Sequence, residues 1–291
     1  MIDFWEIVRR SETGELVKER DFDMRVVRTS KKMVEKYDLK FNPEEVIPSD
    51  DAMVDRLFEA AIEYFLTVGI YCTDTERVIK CTREELEVAL NASVDQITWG
   101  EGRDQRTQYP RKVEDSRPPF CNFTLVGTPY PEEIFLQAAM STAKEDLADC
   151  FSGGSILHTL GGIEVRSGSP AEVEAAIWDV GKRREAAVRV GHPGKGMYTQ
   201  VSAAEKADAM IAAARPEFGA LDRDGMLMGA IAEMKVDYDR MKKVAFLLRA
   251  TYPLGGLMGP LMGGYAGGPE GNAINMVAHL FLGRMAFMTE Y

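Results

Sequence analysis

The stretch Phe120-Cys-Asn-Phe-Thr-Leu-Val126, closed by Gly127, is short, apolar and rich in residues that suit a pleated backbone. It reads as a buried strand. Residues 103–119 before it are rich in charge and proline and read as a connection. After it, a helix is expected from Pro131 through Asp149, then a second short apolar stretch at 155–160 that ends at Gly161 and Gly162. Ser169-Pro-Ala-Glu172 combines an N-cap, a proline in the first helical position and a capping-box glutamate. It opens a helix to Glu185. Ala186-Ala-Val-Arg-Val190 reads as a third strand, closed by Gly191-His-Pro-Gly-Lys-Gly196. Ser202 and Glu205 form a further capping box, residues 235–251 read as a helix, and a last helix runs from Pro269 towards Met288.

Strands that alternate with amphipathic helices point to a parallel sheet of βα units. The expected fold class is α/β, a (β/α)8 TIM-barrel-like domain at residues 113–291 with an N-terminal helical extension at 1–112. A closed barrel takes about 200–250 residues, whereas this stretch holds roughly five or six βα units. The barrel is therefore expected to be incomplete at its C-terminus, with an open doubly wound sheet as the alternative. In the extension, Ser49 caps a helix that opens with Asp50 and Asp51 and carries Met53, Leu57, Ala60, Ala61, Tyr64 and Phe65 at helical spacing. Gly69 stops it, and Thr82 with Glu85 caps the next helix, which runs to Asn91.

The 291 residues carry 35 Lys and Arg against 46 Asp and Glu, a formal net charge of −11. Repulsion from phosphate argues against nucleic acid or an anionic membrane as partner. Cys72, Cys81, Cys121 and Cys150 form no disulfide framework and no C-x-x-C pair, and His158, His192 and His279 are far apart. No metal site is expected. The first residues lack the apolar core of a secretion signal, and the uncharged run 250–269 is broken by glycine and proline. A reducing cytoplasm fits.

Few residues here carry chemistry. Gly263-Gly-Tyr-Ala-Gly-Gly268 precedes a helix, so Gly263, Gly264, Gly267 and Gly268 either cradle an anion or permit tight packing. The Gly191–Gly196 loop is expected where a strand ends, the active-site end of a parallel fold. His192 there is either an acid or base or an exposed loop residue, with Lys195 beside it. Gly102-Arg-Asp104 is a candidate polar anchor and Asp74 a candidate buried carboxylate, each also readable as a cap or ion pair. Met226, Met228, Met234, Met258 and Met262 read as adaptable core.

Five segments, in order, carry a resemblance: Gly69-Ile-Tyr-Cys-Thr-Asp-Thr75, Gly102-Arg-Asp104, Gly191-x-Pro-Gly-x-Gly196, Glu233-x-Lys-x-Asp-x-Asp239 and Gly263-Gly-Tyr-Ala-Gly-Gly268. Together they resemble the monomethylamine methyltransferases of methylotrophic methanogens, from about residue 30 onward. The resemblance implies a (β/α)8 barrel, homo-oligomers, and methyl transfer from a methylated amine to the Co(I) form of a partner corrinoid protein. It implies no cofactor bound by this chain directly, since the corrinoid belongs to the partner. It also implies a pyrrolysine just after the G-x-P-G-x-G loop, where this sequence has Tyr198 after Met197. Glutamates of the family align with apolar residues at Leu257 and near Leu227, and the family's C-terminal third does not follow Tyr291. A phenol forms no amine adduct, so the expected donor is a preactivated one, such as a quaternary ammonium. Tyr198, with His192, is the expected catalytic position. Tyr265, Lys195 and the four glycines are the expected binding set, the two tyrosines holding the cation by cation–π attraction. The alternatives are a catalytically inactive paralogue that acts as a binding or scaffolding subunit, and a fragment of a longer methyltransferase.

Overall fold

A computed structural model describes residues 2–45, 50–112, 114–125, 128–156, 158–199, 206–250, 252–257 and 259–289. Its first part holds helices α1 (Phe4–Thr13), α2 (Glu19–Lys36), α3 (Asp51–Val68) and α4 (Arg83–Asn91). Between and after them lie strands β1 (Glu15–Leu16), β2 (Ile70–Cys72), β3 (Arg77–Ile79), β4 (Ile97–Trp99) and β5 (Arg106–Gln108). Then follow β6 (Asn122–Thr124), α5 (Glu132–Ala143), β7 (Cys150–Ser152), the hairpin strands β8 (Thr159–Leu160) and β9 (Ile163–Glu164), α6 (Pro170–Arg189) and β10 (Gly196–Thr199). The chain ends with α7 (Ala207–Ala213), β11 (Gly225–Gly229), β12 (Lys235–Val236), α8 (Tyr238–Leu247), β13 (Leu254–Leu257) and α9 (Pro269–Ala286).

The chain forms two compact units, and neither follows a single cut at residue 112. One contains residues 1–93, 229–241 and 256–291; the other contains 94–228 and 242–255. In the first, α9 packs on α1, α2, α3 and α4 beside a four-stranded sheet of order β1-β3-β2-β12. Its core includes Phe22 stacked on Tyr71, centroids 4.8 Å apart, and Phe65 edge-on to Phe281. In the second, a five-stranded sheet of order β13-β11-β10-β7-β6 pairs in parallel from β6 through β11. Phe151, Met197 and Met226 from its strands are buried with Val180 of α6. The fold is thus mixed α/β with parallel βα units, and its sheets do not close among the described residues.

Local chemistry accounts for most element ends. Thr82 and Glu85 exchange both capping-box bonds, at 2.9 and 3.2 Å. Gly69 stops α3 with a φ of 79°, which a side chain disfavours. Pro269 opens α9. Ser169 precedes Pro170 as read, but its hydroxyl makes no cap bond to α6, and Glu172 instead accepts from Gly168 and Lys206. Ser49, the Ser202–Glu205 box, Val126 and Gly127 lie outside the described residues.

Three expectations need correction. Residues 186–190 are not a strand but the last turn of α6 and its cap: Arg183, Ala186 and Ala187 are buried and Val188 is 55% exposed, a helical and not an alternating pattern. The second strand is Cys150–Ser152 rather than 155–160, because α5 stops at Ala143 and not at Asp149. Residues 235–251 begin as a strand, and α8 starts only where Asp237 accepts the Arg240 N–H at 2.7 Å. Asp74 holds the same helix start, accepting from the Tyr238 N–H at 2.7 Å.

Candidate functional site

The Gly191–Gly196 loop lies between α6 and β10, so it stands at the amino end of a parallel strand and not where a strand ends. In parallel α/β folds that end carries stability, and ligands sit at the carboxyl ends. The local bonds agree. His192 Nδ1 lies 2.9 Å from Asp104 Oδ1, and the Gly194 N–H donates to Asp104 Oδ2 at 3.1 Å. Burial works against ionising Asp104, but the His192 and Gly194 bonds outweigh it and hold the carboxyl below its usual range. Asp104 is therefore the polar anchor of the loop. Lys195 is buried, and its Nζ donates to the carbonyls of Ala143 and Glu145 at 3.0 and 2.7 Å, capping α5. The loop's glycines have a packing cause: a Cβ on Gly194 would run into the Glu101 carbonyl, where the chain crosses after β4.

Gly263, Gly264, Gly267 and Gly268 form a tight turn ahead of α9, with Gly263 donating to the Gly267 carbonyl at 2.9 Å. Tyr265 in that turn is 46% exposed, and its N–H donates to Glu233 Oε1 at 3.1 Å. Glu233 is buried; burial pushes its carboxyl up, and the backbone N–H groups of Tyr265 and Ala266 act against that. Glu233 and Met234 are both left-handed, φ 69° and 68°, a costly pair for residues with side chains. His279 holds them: its Nε2 accepts both N–H groups at 3.1 and 3.2 Å, while Nδ1 bonds the Asn275 carbonyl at 2.7 Å. A cavity of about 460 Å³ beside the turn is lined by Tyr265, Lys31, Glu35 and Glu270 among others.

The carboxyl edge of the five-stranded sheet is built by β6, β7, β10 and β11. Tyr198 lies in the second half of β10, its Cα opposite Gly225 of β11. Its phenol, and the side chains of Leu227 and Leu257, lie outside what the structure describes. Next to β10 is β7, whose end runs into Gly153-Gly154-Ser155-Ile156. Here the packing is close: a Cβ on Gly154 would collide with the Tyr130 ring. A buried ion pair on α6 grips this loop. Arg183 Nε lies 2.6 Å from Asp179 Oδ1, with both side chains out of solvent. Arg183 donates to the Gly154 carbonyl at 2.9 Å. Burial pushes the Asp179 carboxyl up to about 7 against the pull of Arg183.

In one unit His192 with Lys195 stands on Asp104 at the amino end of β10, and Tyr198 stands in the second half of that strand; in the other unit Tyr265 with its glycines stands on Glu233. Asp179, Arg183 and Ser155 escaped the reading of the sequence. The signal for the pair was an Asp and an Arg four residues apart on the Ala-rich stripe of α6. Among the described residues no cluster of His, Cys, Asp and Glu is arranged to hold a metal ion. Nor, among those residues, is any helix long and apolar enough to cross a membrane.

Comparison with known proteins adds to this geometry. The family model described as Monomethylamine methyltransferase MtmB matches residues 2–290. A Monomethylamine methyltransferase MtmB from Methanosarcina mazei is 31% identical over 280 residues, 95% of this chain and 60% of its own length. An MtmB2 from Methanosarcina acetivorans is 32% identical over the same shares. The crystal structure of the Methanosarcina barkeri Monomethylamine Methyltransferase (MtmB) superposes with a TM-score of 0.93 at 29% identity, covering 99% of this chain and 63% of that one. A crystal structure of a hydroxylamine MtmB complex matches equally well. The chain spans about three-fifths of the length of the curated relatives it matches.

Proposed function

We propose, for a chain that belongs to the monomethylamine methyltransferase MtmB family, that it moves a methyl group from a methylated amine to the Co(I) centre of a corrinoid carried by a partner protein. The observation that carries this reading is the place of Tyr198. It sits in the carboxyl half of a strand inside a parallel sheet, in a fold that matches MtmB along 99% of the chain. Cobalt supplies an electron pair to the methyl carbon, the C–N bond breaks, and nitrogen leaves with that pair. A neutral methylamine would have to leave as an amide anion, so the donor nitrogen must be a full cation, protonated or quaternary. A tyrosine offers no electrophile to activate it, so the site's task is to hold and aim an ammonium that already carries its charge. Tyr198 serves this by cation–π attraction, worth up to about 2 kcal/mol when desolvated.

His192 and Lys195 support the site from the amino end and do not touch the donor. The partner's corrinoid is a substrate of the reaction. Exposed Phe58 of α3 and Leu280 of α9 support assembly into a homo-oligomer that would cover them. The test uses free cob(I)alamin as acceptor. With monomethylammonium and tetramethylammonium supplied separately, the protein is expected to convert the Co(I) spectrum to that of methylcobalamin with at least one of them. No conversion above the protein-free rate with either donor would overturn the reading.

A further inference from the structure

Ser155 sits where β7 has ended, at the carboxyl edge of the sheet. Its backbone continues the β6–β7 pairing past the strand ends: its N–H donates to the Thr128 carbonyl at 3.0 Å, and its carbonyl accepts from Tyr130 at 3.1 Å. By register, Gly196 and Met197 of β10 stand opposite Cys150 and Phe151, so Ser155 lies beyond the level of Thr199, on the same edge as Tyr198. The residue is fully buried. Its hydroxyl has no hydrogen-bond partner among the described residues.

A buried hydroxyl in that state is costly, and such groups in native proteins are normally satisfied by something. The surroundings make this a built position rather than a slack one. The Gly154 carbonyl is fixed by Arg183, and the Tyr130 ring closes over Gly154. The residue before Ser155 is thus held by a side chain out of solvent, the kind of support that pre-organises a binding group.

We infer that Ser155 is a substrate-binding residue whose hydroxyl oxygen accepts an N–H of a protonated methylammonium, making the site selective for donors that retain an N–H. This rests on the methyl-transfer reading above. The chemistry suits the demand on the donor. The ammonium must keep its proton until nitrogen leaves, and a serine hydroxyl accepts a hydrogen bond without being basic enough to remove that proton. A quaternary ammonium has no N–H and gains nothing from Ser155.

The test is calorimetric binding of monomethylammonium and tetramethylammonium to wild-type protein and to Ser155→Ala, with thermal melting of both proteins. Ser155→Ala is expected to weaken monomethylammonium binding about tenfold or more, the usual size of a hydrogen bond to a charged group. Tetramethylammonium binding and the melting temperature are expected to stay unchanged. Equal monomethylammonium affinity in both proteins overturns the inference and leaves the methyl-transfer reading standing. A lower melting temperature with unchanged affinity also overturns it, by showing that the hydroxyl bonds a buried water. Wild-type protein that binds neither ammonium overturns both.

Discussion

Arg183→Met is expected to lower stability by about 3–5 kcal/mol, the cost of leaving one member of a buried ion pair alone. Asp179 would then be a carboxylate out of solvent with its cationic neighbour gone. Protonation relieves that state. Because burial already raises Asp179 to about 7, the deficit should shrink as pH falls from 8 to 5. The double variant Asp179→Leu with Arg183→Met removes both charges and keeps apolar bulk, so it should recover most of the loss. It does not restore the bond to Gly154, so methyl transfer should remain impaired. Urea unfolding at the two pH values, paired with the cob(I)alamin assay on the double variant, checks each part. Full activity in the double variant would show that the pair supports only α6.

His279→Ala is the second large effect, about 2–5 kcal/mol from two orphaned N–H groups and a cavity. Without Nε2, the left-handed Glu233 and Met234 lose the acceptor that holds them, and the Tyr265 turn loses its tether. The pH dependence follows from the same bonds. Nε2 accepts only while the imidazole is neutral, and burial pushes its pKa below the ordinary value of 6.5. Below that value the unfolded chain takes up a proton that the folded chain refuses, so stability falls as pH falls. The slope reaches about 1.4 kcal/mol per pH unit and ends at the folded pKa. Asp179 and Asp224, raised by burial to about 7 and about 6, contribute with the opposite sign. The difference in unfolding free energy between wild type and His279→Leu therefore isolates the histidine. That difference should narrow between pH 7 and pH 5.

Local chemistry in the sequence marked the ends of helices well. The Thr82–Glu85 box, the Gly69 stop and the Pro269 start each depend on residues within one turn, and each stands where expected. The strand at 120–126 was legible because its apolar run is short and bounded by proline and glycine; the ladder covers Asn122–Thr124. The error at 186–190 moved the glycine loop to the wrong end of a strand. Reading Ala186-Ala-Val-Arg-Val190 as a strand placed the glycine loop after it, at a carboxyl end. The helix runs on, and the strand is the four residues Gly196–Thr199 beyond the loop. Only the crossing of residues 99–101 explains why Gly194 must be glycine, and that contact is far away in sequence. The same distance hid Ser155, whose neighbour Gly154 is fixed by α6 and by Tyr130.

On the proposed function, the chemistry is expected at the carboxyl edge with Tyr198 and not at the G-x-P-G-x-G loop. One measurement separates them: the rate of cob(I)alamin methylation by wild type, Tyr198→Leu and His192→Asn, with each protein shown to be folded by its melting curve. Asn at 192 retains a donor for Asp104, so His192→Asn is expected to keep the wild-type rate, while Tyr198→Leu is expected to lose about tenfold or more, the loss of a desolvated cation–π contact. A Tyr198→Leu protein with the wild-type rate beside an inactive, folded His192→Asn protein would contradict the account and move the site to the loop.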